Sequence, residues 1–191
     1  MRLAWTVFTI ALCAACSRGP SPDWTIDLIS PELALAGDGE LVMQAGVEWQ
    51  PSPAVVEALE HGVAVPVRVT IRTYRQIGPV RWLDRDRNHR FEIRYLPLLR
   101  RYELLETRSG DQQHFPRLNM MLDSLARPRD WPSGLHRDEL PEGRWQIEAR
   151  AELDRSRLPP PMRMPVWFDD NWRAWSHWQR WEPEMGWFDE P

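Results

Sequence analysis

Apolar and polar residues alternate along several segments of this 191-residue chain. Between residues 145 and 154 every odd position is apolar and every even position is polar, and residues 65–74 largely repeat the pattern. A period of two places successive side chains on opposite faces of a strand, so that one face packs on a core and the other meets water. The alternation therefore predicts antiparallel sheets rather than the uniformly apolar strands of a parallel sheet.

Three shorter segments alternate in the same way and predict further strands: residues 41–49, 91–95 and 162–168. In the last of these, Met162, Met164, Val166 and Phe168 would share one face. Pro165 would lie on the polar face, and a proline in a strand is expected at a sheet edge or a bulge. The glycines on either side of Asp38 separate two of the predicted strands and are typical of a hairpin turn.

Two short helices are predicted in the connections. Ser52 can cap the first helix, Pro53 suits its first turn, and Gly62 can end it. Apolar residues at helical spacing before Pro128 indicate the second: Leu118, Met121, Leu122 and Leu125. About eight strands and two helices predict one mainly β domain over residues 24–191, an antiparallel β-sandwich of immunoglobulin-like architecture.

The first sixteen residues have the order of an export signal. Arg2 gives a positive start, residues 3–15 carry no charge, and small residues precede Cys16. A run of about thirteen apolar residues is too short to span a bilayer as a helix. The ending resembles the bacterial lipobox, in which the cysteine is acylated and becomes the new N-terminus, although Cys13 stands where a branched aliphatic residue is usual.

We therefore expect export to the periplasm and anchoring to the outer membrane through a lipidated Cys16, with residues 17–23 as a tether. Cleavage by ordinary signal peptidase, which gives a soluble periplasmic protein, is the alternative. Cys13 and Cys16 are the only cysteines of the chain. The mature domain is therefore expected to hold together without an intramolecular disulfide.

Charge argues against nucleic-acid binding. The formal net charge is −4, and every one of the 24 cationic residues is an arginine. If Arg68, Arg72, Arg90 and Arg94 lie on neighbouring strands, they could form an anion-binding surface. Pairing with carboxylates across the strands is the favoured interpretation; the acidic candidates are Glu92, Glu148 and Glu152.

No motif for catalysis is present in the sequence. It lacks G-x-S-x-G, H-E-x-x-H and a phosphate-binding glycine loop. The histidines have no ligand-like spacing and are expected on the surface or in loops: His61, His89, His114, His136 and His177. Asp169 and Asp170 are interpreted as a solvated turn or a cap. We therefore predict no catalytic residue, no cofactor and no enzymatic activity.

One segment has the alternating oxygen ligands of a calcium loop: Asp84, Asp86 and Asn88. An EF-hand loop beginning at Asp84 would need glycine at its sixth position and glutamate at its twelfth, where this chain has His89 and Tyr95. Two arginines inside the segment also oppose a cation. The favoured interpretation is a charged turn that enters a strand near His89, and no metal site is predicted.

Tryptophan recurs at every third position near the C-terminus: Trp172, Trp175, Trp178 and Trp181. Neither a helix nor a strand places all four rings on one narrow face. The favoured interpretation is that most of them pack over an end of the sandwich. The alternatives are an exposed surface for a protein partner, or contact with glycan or the membrane interface.

Five short motifs, read in order, resemble the bacterial family called domain of unknown function 4390. Their residues are Ala58, Leu59, Gly62 and Val63; Arg94, Tyr95 and Tyr102; Leu140 and Gly143; Leu153, Asp154, Ser156, Leu158, Pro159 and Pro161; and Trp172, Ser176, Trp178 and Trp181. The resemblance covers about residues 24–185. It implies an exported protein with no assigned activity. It also suggests genes next to a sensor kinase of the nitrogen-regulation type and a ribosomal RNA methyltransferase, and hence an accessory role in envelope signalling.

The sequence as a whole thus predicts a non-enzymatic accessory protein of the cell envelope, acting through protein contacts. The expected partners are an envelope protein such as a membrane sensor kinase, and the membrane itself through the lipid anchor. The candidate contact residues are the four C-terminal tryptophans. The alternative is a ligand-binding or glycan-binding module that uses the same tryptophan-rich end.

Overall fold

Two antiparallel sheets make up most of the computed structural model, which describes residues 24–184. Within that part there are nine strands and three α-helices. The strands are β1 (Thr25–Leu35), β2 (Glu40–Gln50), β3 (Val65–Ile77), β4 (Val80–Leu96), β5 (Arg101–Glu106), β6 (Gln112–Phe115), β7 (Arg129–His136), β8 (Arg144–Leu153) and β9 (Gln179–Trp181). The helices are α1 (Pro53–Glu60), α2 (Leu118–Leu125) and α3 (Pro160–Phe168). The predicted mainly β, antiparallel sandwich is confirmed.

The smaller sheet has the strand order β1-β2-β7, and the larger has the order β6-β5-β4-β3-β8-β9. Hairpins join β1 to β2 and β3 to β4. The turn between β1 and β2 contains Gly39, whose φ of +84° favours glycine, and the predicted hairpin is confirmed. The chain returns to the smaller sheet once, as β7, before β8 pairs with β3.

The core lies between the inner faces of the two sheets. Alternate residues of β3 and β8 point inward and are almost fully buried, as the alternation predicts. Trp131 of β7 joins the layers: its indole Nε1 donates to the Ala45 carbonyl at 2.9 Å, and its ring meets Phe91 edge-on at 5.5 Å. Burial of these apolar surfaces stabilises the sandwich by roughly 25 cal/mol per Å² removed from water.

Both predicted helices are confirmed. Ser52 caps α1 by accepting a hydrogen bond from the Val55 amide at 3.2 Å, and Gly62 follows the helix with a φ of +78°. Helix α2 packs against β2 of the smaller sheet and against β5 and β6 of the larger, with Met121 and Leu125 in the core. Gly46 of β2 lies so close to the Ala126 carbonyl oxygen that a Cβ there would come within 1.9 Å of it.

The strand predicted over residues 162–168 is wrong, because this segment forms the helix α3. Prolines at 159–161 fix φ near the helical value and suit a first turn. Four alternating residues are too few to separate a strand from a short helix. Met162 and Val166, one helical turn apart, face the core, whereas Met164 and Phe168 are exposed. Pro165 therefore lies inside a helix, not on a strand.

The sandwich has two distinct ends. At one end, which we call the entry end, the described chain begins: Thr25 pairs with Gln50, and β3 starts where β8 finishes. At the other, which we call the hairpin end, lie the β1–β2 turn, the segment after β7 and the long β3–β4 hairpin. The Arg85–Glu139 ion pair joins the segment after β7 to this hairpin. Helices α1 and α3 cover the entry end, where the Ser52 hydroxyl donates to the Asn171 carbonyl at 2.7 Å.

Candidate functional site

Three of the C-terminal tryptophans, Trp175, Trp178 and Trp181, lie in an extended segment along the edge of the larger sheet, and Trp172 lies in a short 3₁₀ helix before it. The Leu153 amide donates to the Ala174 carbonyl at 2.9 Å, and the Ser176 amide donates to the Ala151 carbonyl at 2.8 Å. The segment continues as β9, which pairs with β8. Backbone groups along the edge of β8 are thereby satisfied, which protects that edge from pairing with another chain.

The four rings do not form one surface. Trp172 is buried and belongs to the core, with 4% of its surface exposed. Trp181, opposite Ile147, is half-buried against the inner face. Trp175 is 55% exposed at the sheet edge. Of the four predicted site residues, Trp172 thus belongs to the core, Trp178 and Trp181 are half-buried, and Trp175 is exposed.

Trp178 is held on the outer face of the larger sheet. Two guanidinium groups lie near its ring, with Arg72 at 4.9 Å and Arg150 at 4.7 Å from the ring centre. Cation–π contacts of this kind contribute about 0.5–1 kcal/mol each at partly exposed positions. Trp178 therefore fixes the C-terminal segment to the sheet, and its ring is engaged by the protein's own cations.

Carboxylates neutralise the outward arginines. Arg68 pairs with Glu152 and lies 3.4 Å from Asp154, a residue that is almost fully buried. Asp154 also faces Arg90 at 3.5 Å. Arg72 pairs with Asp86 at 3.4 Å, and Arg94 pairs with Glu103. The interpretation of cross-strand ion pairs is confirmed, and these four arginines are not a free anion-binding surface.

Glu148 is a further buried carboxylate on the larger sheet. Its side chain is 7% exposed and contacts Arg81 at 2.8 Å and Arg180 at 3.0 Å. Gln146 donates a further hydrogen bond at 2.8 Å. A buried carboxylate needs such partners, because leaving it unpaired would cost several kcal/mol. The group has the connections of a structural ion pair rather than of a free acid or base.

The candidate calcium segment is part of β4 rather than a turn. The strand begins at Val80, so the predicted strand start near His89 is wrong. Asp86 is engaged by Arg72 and accepts a hydrogen bond from the side-chain Nδ2 of Asn88 at 2.9 Å, and Asp84 faces Arg85 at 3.3 Å. No group of three or more histidine, cysteine or acidic residues that could hold a metal occurs between residues 24 and 184.

His89 corrects the expectation that all the histidines lie on the surface. It points inward from β4, is 4% exposed, and hydrogen-bonds through Nε2 to the Pro132 carbonyl at 3.0 Å. Burial lowers the pKa of its imidazole, because the charged form loses solvation there. The alternation of β4 could have found it, since His89 shares the face of Phe91 and Ile93.

Asp169 has the capping role that the sequence suggests. Its carboxylate accepts from the Asn171 amide at 2.9 Å and begins a short 3₁₀ helix, Asp170–Trp172. Asp170 instead pairs with Arg173 at 2.8 Å. The two neighbouring carboxylates therefore act locally and do not meet over a common site.

A cavity of about 630 Å³ opens at the hairpin end. Asp38, His136 and Glu139 line part of it. Glu139 accepts from the His136 amide at 3.0 Å and pairs with Arg85 at 2.5 Å, and this partner holds the pKa of the carboxyl below its usual range. Its oxygens are thus engaged in holding the turn after β7 to the β3–β4 hairpin.

Exposed apolar side chains cluster at the tip of that hairpin. Ile77, Val80, Trp82 and Leu83 are 47–60% exposed, and we call them the tip patch. The turn between them contains Gly78, with a φ of +59°. Sequence reasoning did not single out this cluster. The available signal was a Gly-Pro turn flanked by apolar residues, where polar residues are usual.

A second set of exposed apolar side chains lies at the entry end. On α3, Met164, Trp167 and Phe168 are 70%, 51% and 82% exposed. Leu98 and Leu99, in the turn between β4 and β5, are 100% and 61% exposed. We call these five residues the entry-end patch. Exposed apolar residues in groups, unlike scattered single ones, mark contact surfaces.

The chain matches a known protein family over most of its length. The family model for the domain of unknown function DUF4390 matches residues 24–182. The chain belongs to the DUF4390 family. That range coincides closely with the folded region described above. No curated protein and no solved structure matches the chain.

Most of the motif residues that carried the resemblance to DUF4390 maintain the fold. Leu59 and Leu158 are fully buried, and Gly62 supplies the positive φ that ends α1. Ser156 donates to Asp154 at 2.5 Å. Ser176 accepts from the Ala151 amide at 3.0 Å. The exposed residues of the two patches lie outside these DUF4390 motifs.

The signal sequence, Cys16 and the tether lie outside the described residues. Within residues 24–184, the DUF4390 domain has no helix that is long and apolar enough to cross a membrane.

Proposed function

We propose that this protein is an exported, lipid-anchored accessory protein of the cell envelope that binds another envelope protein through the tip patch. The supporting observation is the exposure of Trp82 and three further apolar side chains at the end of the β3–β4 hairpin. Tryptophan is enriched among the residues that contribute most to protein–protein binding. The role requires no catalytic step.

The position of the hairpin supports this role. The chain joins its proposed anchor at the entry end, and the tip patch lies at the opposite end of the sandwich. An anchor at Cys16 would leave the tip patch free to reach a partner. The resemblance described above makes a membrane-bound sensor kinase the first candidate for that partner.

Photo-crosslinking in intact cells tests the partner surface. A benzophenone amino acid placed at position 82 is expected to give a discrete product with one envelope protein, and Leu83→Asp is expected to reduce the yield. The same probe at Met120 of α2, which is 46% exposed, is the matched control. Equal product patterns from positions 82 and 120 would count against the tip patch.

Export and anchoring are tested separately. In the native chain, mass spectrometry is expected to find acyl groups on Cys16, and fractionation to recover the protein with membranes. Cys16→Ala is expected to abolish acylation. Recovery of the unprocessed precursor in the cytosol would refute export. Release of a cleaved but unacylated protein into the soluble periplasmic fraction would favour ordinary signal-peptidase processing.

A ligand-binding or glycan-binding module is the alternative. Of the four candidate tryptophans, Trp175 is the one whose ring is more than half exposed. A single ring offers a small platform for a sugar, whereas the tip patch offers four exposed apolar residues at the end of one hairpin. We therefore favour protein contacts over glycan contacts.

A further inference from the structure

From the entry-end patch we infer a second contact surface, which inserts into the headgroup region of an anionic lipid bilayer. The inference rests on the proposed anchor at Cys16, because that anchor brings this end of the molecule to the membrane. The occupant we assign is the bilayer and not a protein partner.

The segment between Cys16 and the described domain is short. Residues 17–23 separate Cys16 from the first described residue, Trp24. Seven residues span at most about 25 Å when fully extended. Thr25 is paired with Gln50 at the entry end, so an acylated Cys16 holds this end within that distance of the bilayer.

Helix α3 also lies at the entry end. Pro51 alone separates Gln50 from Ser52, whose hydroxyl donates to the Asn171 carbonyl at 2.7 Å. Asn171 follows the last residue of α3, Phe168, by three positions. The helix therefore lies beside the point where the described chain begins.

Helix α3 has an exposed apolar face. Met164, Trp167 and Phe168 stand at i, i+3 and i+4, the spacing that puts side chains on one face of a helix. The opposite face packs inward through Val166, which is 3% exposed. The exposed face is apolar, and amphipathic helices with aromatic residues on such a face lie in the membrane interface.

The turn between β4 and β5 lies at the entry end as well. Ile93 pairs with Val65, the first residue of β3, so the residues after Leu96 extend past β3 at the entry end. Helix α3 and β4 are neighbours there, since Pro160 and Glu92 line the same cavity of about 260 Å³. Leu98 and Leu99 therefore project from the same end as α3.

Arginines accompany both apolar groups. Arg100 and Arg101 follow Leu98 and Leu99 directly and are exposed. Between residues 155 and 173 there are four arginines and two aspartates, and Arg155 lies 5.1 Å from the ring centre of Trp167. Arginine contributes about 1 kcal/mol per residue near an anionic lipid surface. These arginines next to the two apolar groups complement anionic headgroups, whereas α1 at the same end carries the exposed carboxylates Glu57 and Glu60.

Depth measurement by spin labelling tests the inference on the full chain purified from the envelope. Acylation removes the Cys16 thiol, so one introduced cysteine takes one label. Labels on Leu98→Cys and Phe168→Cys are expected to be shielded from a water-soluble nickel chelate and accessible to oxygen in phosphatidylethanolamine–phosphatidylglycerol vesicles. The ratio of oxygen to nickel collisions is expected to be several-fold higher than for a label on Leu83→Cys at the hairpin end.

Equal collision ratios at positions 98, 168 and 83 would overturn the inference and leave the entry-end patch to a protein partner. Equal insertion into pure phosphatidylcholine would overturn the part assigned to the arginines. Mass spectrometry of Cys16 on the same sample separates the two proposals. An acylated protein with water-exposed labels refutes bilayer contact alone, and an unacylated one refutes the anchor.

Discussion

At the scale of single residues, His89 makes this fold sensitive to acid. Its pKa lies below the ordinary value of 6.5 because burial between the sheets disfavours the imidazolium. Below about pH 6.5 the unfolded chain takes up a proton that the folded chain does not, so the free energy of unfolding falls by up to about 1.4 kcal/mol per pH unit. The loss continues until the folded-state pKa is reached.

Urea unfolding at several pH values measures this loss. His89→Gln is expected to flatten the dependence between pH 6.5 and 5, while His177→Gln, at an exposed position, is expected to leave it unchanged. Protonation of Glu139 is expected to lower the free energy of unfolding further at lower pH, because its depressed pKa stabilises the folded state above about pH 4.5. An unchanged slope in His89→Gln would contradict the assignment to His89.

The C-terminal tryptophans should differ sharply in their contribution to stability. Trp172→Ala opens a cavity in the core and is expected to lower the free energy of unfolding by about 3–5 kcal/mol. Trp175→Ala removes an exposed ring and is expected to change it by less than about 0.5 kcal/mol. Chemical denaturation of both variants checks this, and similar losses would mean that Trp175 packs more tightly than its exposure indicates.

At the scale of elements, the contact between β2 and α2 depends on the missing side chain of Gly46. A Cβ there would meet the Ala126 carbonyl oxygen at 1.9 Å, and backbone cannot yield as a flexible side chain does. Gly46→Ala is therefore expected to destabilise the fold by about 1–3 kcal/mol, measured by the urea midpoint. Gly37→Ala is the control, since a Cβ there meets nothing within 4 Å. Equal midpoints would show that α2 shifts without cost.

Helix α3 shows where element-level patterns become ambiguous. Its four alternating residues fit a strand, yet Met162 and Val166 are also one helical turn apart. Long runs such as β8 carry enough periods to exclude a helix, and short runs do not. The three prolines at 159–161 were the better signal, because their fixed φ favours a first helical turn over a sheet interior.

At the scale of the whole molecule, the two apolar patches lie at opposite ends of the sandwich. Changes at one end should therefore leave the function of the other intact. Leu83→Asp is expected to reduce the yield of the crosslink to an envelope partner while the label at position 168 keeps its depth in the bilayer. The double variant Trp167→Ser, Phe168→Ser is expected to show the reverse. Loss of both properties in either variant would place partner and membrane on a common surface.

The sequence by itself determined the class of fold, because period-two alternation over long segments leaves antiparallel half-buried strands as the only way to separate apolar from polar side chains. It also determined the family and the first two helices, whose caps and spacing are local properties. The inward position of His89 was readable from its strand face as well. Each of these depends on residues close together in the chain.

The tertiary structure alone decided which exposed residues act together. Trp172, Trp175, Trp178 and Trp181 look equivalent at a spacing of three. Packing nevertheless buries Trp172, holds Trp178 against Arg72 and Arg150, and exposes Trp175. Leu98 and Phe168 are far apart in sequence and reach one end only through the register of β3 with its neighbours. Exposure is set by contacts between distant segments, which no local pattern encodes.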